Sequence, residues 1–195
     1  MTVFTLTMLL SIPIGIVLGT VYTLKIRVIN INISIYTWIF RGTPLLLQLY
    51  FGMYGLPAFG ITLDRLTVAV LIFTLNYGAY FTEIFRGSVY SIDNGQIEVS
   101  KTLGFTKIET YIYIIIPQAL KRSIQTVGNE TISLVKDTAL IAAIALNDLL
   151  RNAKEIVSRD FRVEAFFVVG LVYIVLSYII VKVFKVFENK YAYFR

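Results

Sequence analysis

Residues 93–117 read DNGQIEVSKTLGFTKIETYIYIIIP, a polar stretch set between apolar ones. Asp93 and Gln96 stand at the spacing at which a side-chain oxygen caps the first turn of a helix. Gly104 is suited to ending that helix, because glycine enters the left-handed region without a Cβ clash. Thr106 and Glu109 then read as a capping box for a second helix, which meets Pro117, a residue without a backbone donor. The stretch therefore predicts two short helices joined at Gly104, inside a polar loop running over residues 87–118.

Outward from this loop the chain becomes apolar. Met1 to Leu24, Gly42 to Leu63, Leu66 to Thr82 and Ala165 to Val181 each lack Asp, Glu, Lys and Arg. Each approaches the roughly 20 residues that cross about 30 Å of hydrocarbon. With 57% hydrophobic residues, 15% charged ones and a mean hydropathy of +0.75, the composition excludes an ordinary soluble helical domain and makes the lipid bilayer the main environment. The first run carries no basic residue before it and is too long for a cleaved leader, so it reads as a span. The net charge of +6 is dispersed between spans rather than gathered on one face, so membrane topology explains it and nucleic acid does not. The chain has no cysteine and no histidine, which removes disulfides, thiol nucleophiles and the usual zinc and Ser/His chemistry, and leaves no metal site to expect.

The reading is an all-α integral membrane protein of one domain, residues 1–195, with about five spans at 1–24, 42–63, 66–86, 119–146 and 165–184. Pro44, Gly52, Gly55, Pro57 and Gly60 interrupt the second span, which must then pack inside a bundle, before a short turn at Asp64 and Arg65. The fourth span is polar, with Glu130, Lys136 and Asp137, and is expected to contain a broken helix and a re-entrant part. A further helix is expected over Thr138 to Val157, in a loop whose charges balance. Positive-inside logic puts the N-terminus outside and the C-terminal tail in the cytoplasm. That arrangement places 12 of the 18 Lys and Arg inside, from Lys25 and Arg27 to Lys190 and Arg195.

The polar loop reads Glu98, Val99, Ser100, three residues, Gly104, nine residues, Ile114, Ile115, Ile116, Pro117. It resembles the EAA loop of permease subunits in binding-protein-dependent ABC importers: Glu-Ala-Ala, three residues, Gly, nine residues, Ile, one residue, Leu-Pro. Val99 and Ser100 replace the two alanines and Ile116 the leucine; Glu, Gly and Pro stand in place. Arg41-Gly42-Thr43-Pro44-Leu45, Ala79-Tyr80 through Glu83-Ile84-Phe85-Arg86-Gly87, Gly95-Gln96 and Ser133-Leu134-Val135-Lys136-Asp137-Thr138 look like the polar amino acid uptake branch. The resemblance implies a type I importer permease fold in a prokaryotic cell membrane. It also implies a coupling loop (Asp93, Gly95, Gln96, Glu98, Gly104, Pro117) that docks a separate ATPase. The partners it implies are two ATP-binding subunits, a second permease subunit, identical or paralogous, and an extracytoplasmic solute-binding protein. ATP and Mg would sit on the partner, since no Gly, four residues, Gly-Lys-Ser/Thr run occurs here.

Ionisable groups inside a membrane usually face a cavity or a partner, which singles out Glu83, Glu130, Lys136 and Asp137 as candidates for the substrate pathway. Glu83 precedes Arg86 by one turn, so an interfacial ion pair is the competing reading. Lys136 and Asp137 fall where the fourth helix is expected to break, with Asp137 able to cap the next helix. Gln48 and Asn76 fit interhelical hydrogen bonds as well as ligands. Asp160 adds a carboxylate near the outer mouth, unless it pairs locally with Arg159 or Arg162. Together Asp160, Glu130 and Glu83 favour a cationic amino acid, arginine, lysine or histidine. Glutamine through the same architecture, or an ion-coupled transporter with no ATPase, are the alternatives.

Overall fold

Every fourth residue of the first apolar run is small: Thr7, Ser11, Gly15, Gly19 and Thr23. In the computed structural model, which describes residues 1–191, this run forms helix α1 (Thr2–Thr23) and the stripe is its buried face. The face lies against α4 (Arg65–Tyr90), the principal neighbour of α1. A Cβ on Gly15 would stand 2.4 Å from the Phe81 Cβ, and one on Gly19 would stand 2.7 Å from the Thr82 carbonyl oxygen. The two backbones therefore nearly touch. Lipid is as apolar as a leucine side chain, so helix association here rests on close van der Waals packing, which small residues at this spacing permit. Asp64 caps α4, its Oδ1 accepting from the Leu66 and Thr67 amides at 3.0 and 3.1 Å. The helix runs on to Tyr90, four residues past the predicted end at Arg86.

The segment from Lys25 to Arg41 is not a simple connection but helix α2 (Arg27–Gly42). Isoleucines alternate with polar residues from Ile29 to Ile35, a strand-like period; packing overrides it, and Ile33 and Thr37, four apart, make the buried helical face. Tyr36 donates to the Leu75 carbonyl at 2.6 Å, and Asn76 donates to the Phe40 carbonyl at 2.8 Å. Asn76 lies about 17 Å along α4 from Arg65, so α2 ends deep in the bundle. Thr43 and Pro44 are extended, because Pro44 lacks an amide donor and crowds the residue before it out of the helical region. Helix α3 (Leu45–Tyr50) comes next and continues as a π turn (Phe51–Gly55) and a 3-10 turn (Leu56–Phe59). Residues 45–59 reach about 22 Å, short of the about 30 Å a bilayer core requires. Within the predicted span 42–63 the continuous helical stretch is Leu45–Phe59, separated from α2 by the extended Thr43–Pro44.

The polar loop holds α5 (Gly95–Thr102), Gly104 at φ +84°, and the Thr106–Glu109 capping box at the start of α6 (Lys107–Glu109). Asp93 serves the first turn of α5 by accepting from the Gly95 amide at 2.7 Å, although Asn94 occupies the cap position. Gln96 takes no part in the cap; its Oε1 accepts from Gln118 at 3.4 Å. The second helix does not stop at Pro117. It runs on through a π turn (Thr110–Ile115) into α7 (Ile116–Asp137). The wider π turn, in which the Ile116 amide reaches back to the Tyr111 carbonyl, relieves the clash a proline makes with the carbonyl four residues earlier.

Helix α7 ends at Asp137, and a 3-10 turn (Thr138–Ile144) closes with Ala145 at φ 59°. Helix α8 (Leu149–Asp160) starts afresh under the Asp148 cap. The break expected in the fourth span at Lys136 and Asp137 falls where α7 ends, while the single helix expected over Thr138 to Val157 is corrected to a 3-10 turn followed by α8. Asp137 caps nothing; its Oδ2 accepts from the Tyr77 hydroxyl at 2.7 Å. Helix α9 (Glu164–Tyr191) completes the chain described, and Arg195, counted with the basic tail, lies outside the described residues. Among the described residues three helices are long and apolar enough to cross a membrane: Thr2–Thr23, Arg65–Tyr90 and Glu164–Lys190.

The Thr106 hydroxyl and amide hold Glu109 below its ordinary carboxylate value of 4.5. A depressed folded value means the capping box stabilises the loop at neutral pH and is lost only as acid protonates the carboxylate. Glu109→Ala is expected to speed amide hydrogen exchange over residues 104–110 at pH 7. The gap from the parent should close as pH falls through the folded value. Equal exchange of the two proteins at pH 7 would contradict this.

Candidate functional site

Helix α7 buries a small and apolar face (Ala119, Ser123, Val127, Thr131, Leu134), and a half-buried polar stripe runs beside it. Glu130, Ser133 and Asp137 succeed one another at three and four residues, the spacing that puts side chains on one face. Lys136 flanks them. Opposite stand Asn76, Tyr77 and Tyr80 of α4, and the α2–α3 break supplies Arg41 to Leu46. These residues line an open cavity of about 730 Å³. The break leaves extended backbone beside the cavity, and the freed groups are met by side chains. Gln48 donates to the Phe40 and Thr43 carbonyls at 2.9 and 3.1 Å, and Asn76 donates to Gln48 Oε1 at 3.1 Å.

Glu83 lies off the cavity on the side of the α5–α6 loop. Its carboxylate meets Arg86 at 2.5 Å and Arg41 at 3.6 Å. Arg86 also stacks on the Tyr22 ring at 4.7 Å, and Arg41 on the Tyr80 ring at 5.3 Å. The network joins α1, α2 and α4 immediately beside the cavity.

The structure therefore brings Glu130, Lys136, Asp137 and Asn76 together, with Gln48 behind them. It places Glu83 in the ion pair that competes with a pathway role. Asp160 does not line the cavity: it ends α8 in a bidentate contact of 2.8 Å with the neighbouring Arg159. That contact reflects adjacency in sequence and says nothing of a solute. Arg41, Tyr77, Tyr80 and Ser133 were not among the sequence-derived candidates, yet they line the cavity; the Arg41–Leu45 motif and Tyr80 were the signals available. Within the loop, Glu98 is exposed, and so are the apolar side chains of Val99 and Leu103 before the Gly104 turn and Ile108 after it. Large apolar side chains exposed together on one loop are a feature that contact surfaces share.

Comparison with known proteins agrees with the geometry. The family described as "Binding-protein-dependent transport system inner membrane component" matches residues 11–193. The L-cystine transport system permease protein TcyB of Bacillus subtilis is 39% identical over 87% of this chain and 76% of its own. The histidine/lysine/arginine/ornithine transport system permease protein HisM of Salmonella typhimurium is 36% identical over 85% of this chain and 75% of its own. A solved amino acid ABC transporter, crystallised with histidines, superposes with a TM-score of 0.83 at 34% identity, covering 97% of this chain and 90% of that one. The inward-facing MetNI methionine transporter shares the fold, with a TM-score of 0.76 at 17% identity, over 97% of this chain and 89% of its own. The chain belongs to the inner membrane components of binding-protein-dependent transport systems, the permease subunits of ABC importers, in the branch that amino acid permeases occupy.

Proposed function

We propose that this chain is the transmembrane subunit of an ATP-driven importer of polar amino acids, with the cavity beside the α2–α3 break as its solute site. The observation that carries the reading is the exposed α5–α6 element, where Glu98 and an apolar patch flank a rigid turn at Gly104. Such a surface suits a groove on a separate ATP-binding subunit, which would hold ATP and Mg and do the hydrolysis. Two such subunits, a second permease copy or paralogue, and a solute-binding protein complete the assembly. The basic residues flanking the loop support a cytoplasmic location for it, with the N-terminus outside. Transport would occur when movement of the loop, passed along the continuous helix of residues 107–137, reshapes the cavity at the far end of α7.

Relatives of comparable similarity carry names that specify cystine, glutamine, arginine, or histidine, lysine, arginine and ornithine. Of the three carboxylates that favour a basic solute, Glu130 alone lines the cavity, joined there by Asp137 and offset by Arg41 and Lys136. Two carboxylates and two cations suit a solute that carries both signs, as every free amino acid does. Arginine, lysine and histidine therefore remain in the substrate class, with glutamine and cystine beside them.

The test is uptake by the reconstituted complex, with its ATP-binding subunit and binding protein, against those amino acids. ATP-dependent accumulation of at least one is expected, and no accumulation of any would overturn the reading. Asp160→Asn is expected to leave the order of substrates unchanged in the same assay, because its carboxylate is already held by Arg159. A switch away from basic substrates in that variant would restore Asp160 to the pathway.

A further inference from the structure

Within the network beside the cavity, one carboxylate serves two guanidinium groups. Glu83 is committed to Arg86 at 2.5 Å, while Arg41 reaches it only at 3.6 Å. Among the described residues no closer acidic partner of Arg41 is present. Its side chain is 42% exposed and lines the cavity, while the Glu83 side chain is 15% exposed and does not. The guanidinium carbon also lies over the Tyr80 ring, 5.3 Å from its centroid, a cation–π contact on the same side chain. A cation inside a membrane protein that is only half neutralised is costly, and the excess charge at Arg41 faces the cavity. The planar fork of arginine matches a carboxylate bidentately, which a lysine ammonium does not.

We infer that Arg41 reads the carboxylate of the solute, and that Glu83 and Tyr80 position it for that contact. The inference rests on the cavity being the solute site. When a carboxylate arrives, Arg41 exchanges its long contact with Glu83 for a short paired one, and Glu83 stays neutralised by Arg86. The opposite wall, with Glu130 and Asp137, is left for the ammonium end. Selectivity for a free carboxylate, independent of the side chain beyond it, is the property this arrangement produces.

The test uses the purified permease–ATPase complex in nanodiscs without binding protein, so that affinity is not set by delivery. Equilibrium binding of radiolabelled arginine, glutamine and cystine is measured, and each is compared with its α-carboxamide in competition. The parent complex is expected to prefer the free acid over the carboxamide by about tenfold or more, the scale of one charge-assisted paired contact. Arg41→Gln is expected to bind the two forms alike, and Arg41→Lys to recover part of the preference. A merely structural role for Arg41 would weaken both forms together and leave their ratio unchanged, which would overturn the inference. Should Arg41→Gln not fold, the parent's own ratio and the Arg41→Lys variant decide it: equal binding of acid and carboxamide by the parent, or a full preference in Arg41→Lys, overturns it. Binding of none of the amino acids by the parent would overturn the solute-site reading as well, so the two failures are distinguishable.

Discussion

Complexes carrying Gly104→Pro are expected to lose the ATP-binding subunit on purification while the permease itself remains folded. Gly104 sits at φ +84°, its amide donates to the Lys101 carbonyl at 3.0 Å, and the Phe105 amide donates to the Ser100 carbonyl at 3.0 Å. That pair of bonds is the Schellman closure of α5. Proline fixes φ near about −65° and has no amide to donate, so both the turn and one of its two hydrogen bonds are lost. The two halves of the loop then diverge, and Glu98 with Val99 and Leu103 no longer faces the same groove as Ile108. Gly104→Ala keeps the amide and carries only the left-handed penalty of about 1–2 kcal/mol, so it should weaken recovery without abolishing it. Glu98→Lys leaves the backbone intact and should also reduce recovery by reversing an exposed charge. Full retention of the ATP-binding subunit by both Gly104→Pro and Glu98→Lys would show that the loop is not the docking element.

The second large effect concerns assembly of the bundle. Gly15→Leu should leave little folded protein, because even the first added carbon would stand 2.4 Å from the Phe81 Cβ and 2.8 Å from its carbonyl carbon. Neither neighbour is the free end of a flexible chain, so α1 must move off α4. Overpacking of this kind costs about 3 kcal/mol or more, a large part of the stability of an ordinary domain. Gly170→Leu is the matched control, since nothing lies within 4 Å of a Cβ there. Thermal unfolding in detergent should show a sharply lowered transition, or none, for Gly15→Leu and little change for Gly170→Leu. Equal transitions in the two variants would mean that α1 does not pack through its small stripe.

Local chemistry was the legible part of this chain. Gly104, Thr106 and Glu109 act through bonds to residues within five positions of themselves, so their pattern announces the turn and the capping box without reference to the rest of the fold. The apolar runs at residues 1–24 and 165–184 were equally open to reading, since length and hydropathy decide them. The features that escaped depend on distant partners. Helix α2 carries a strand-like alternation and is held by Leu75 and Asn76 of α4. Pro117 has the appearance of a terminator, and the π turn before it absorbs the misfit. The cavity draws Arg41, Tyr77 and Glu130 from three separate helices, so no run of sequence outlines it. Asp160 is the local case again: the pairing with Arg159 that the sequence offers as its competing reading is the contact present.

If the loop couples the permease to ATP hydrolysis, ATP alone must drive transport. Proteoliposomes containing the permease with its ATP-binding subunit are loaded with ATP, and uptake of arginine, glutamine and cystine is measured with the binding protein outside. Parallel vesicles lack ATP and carry an imposed proton or sodium gradient instead. Uptake in the ATP-loaded vesicles alone, lost when Gly104→Pro replaces the parent chain, is the expected result. Uptake driven by an ion gradient without ATP, and indifferent to Gly104→Pro, would contradict the account.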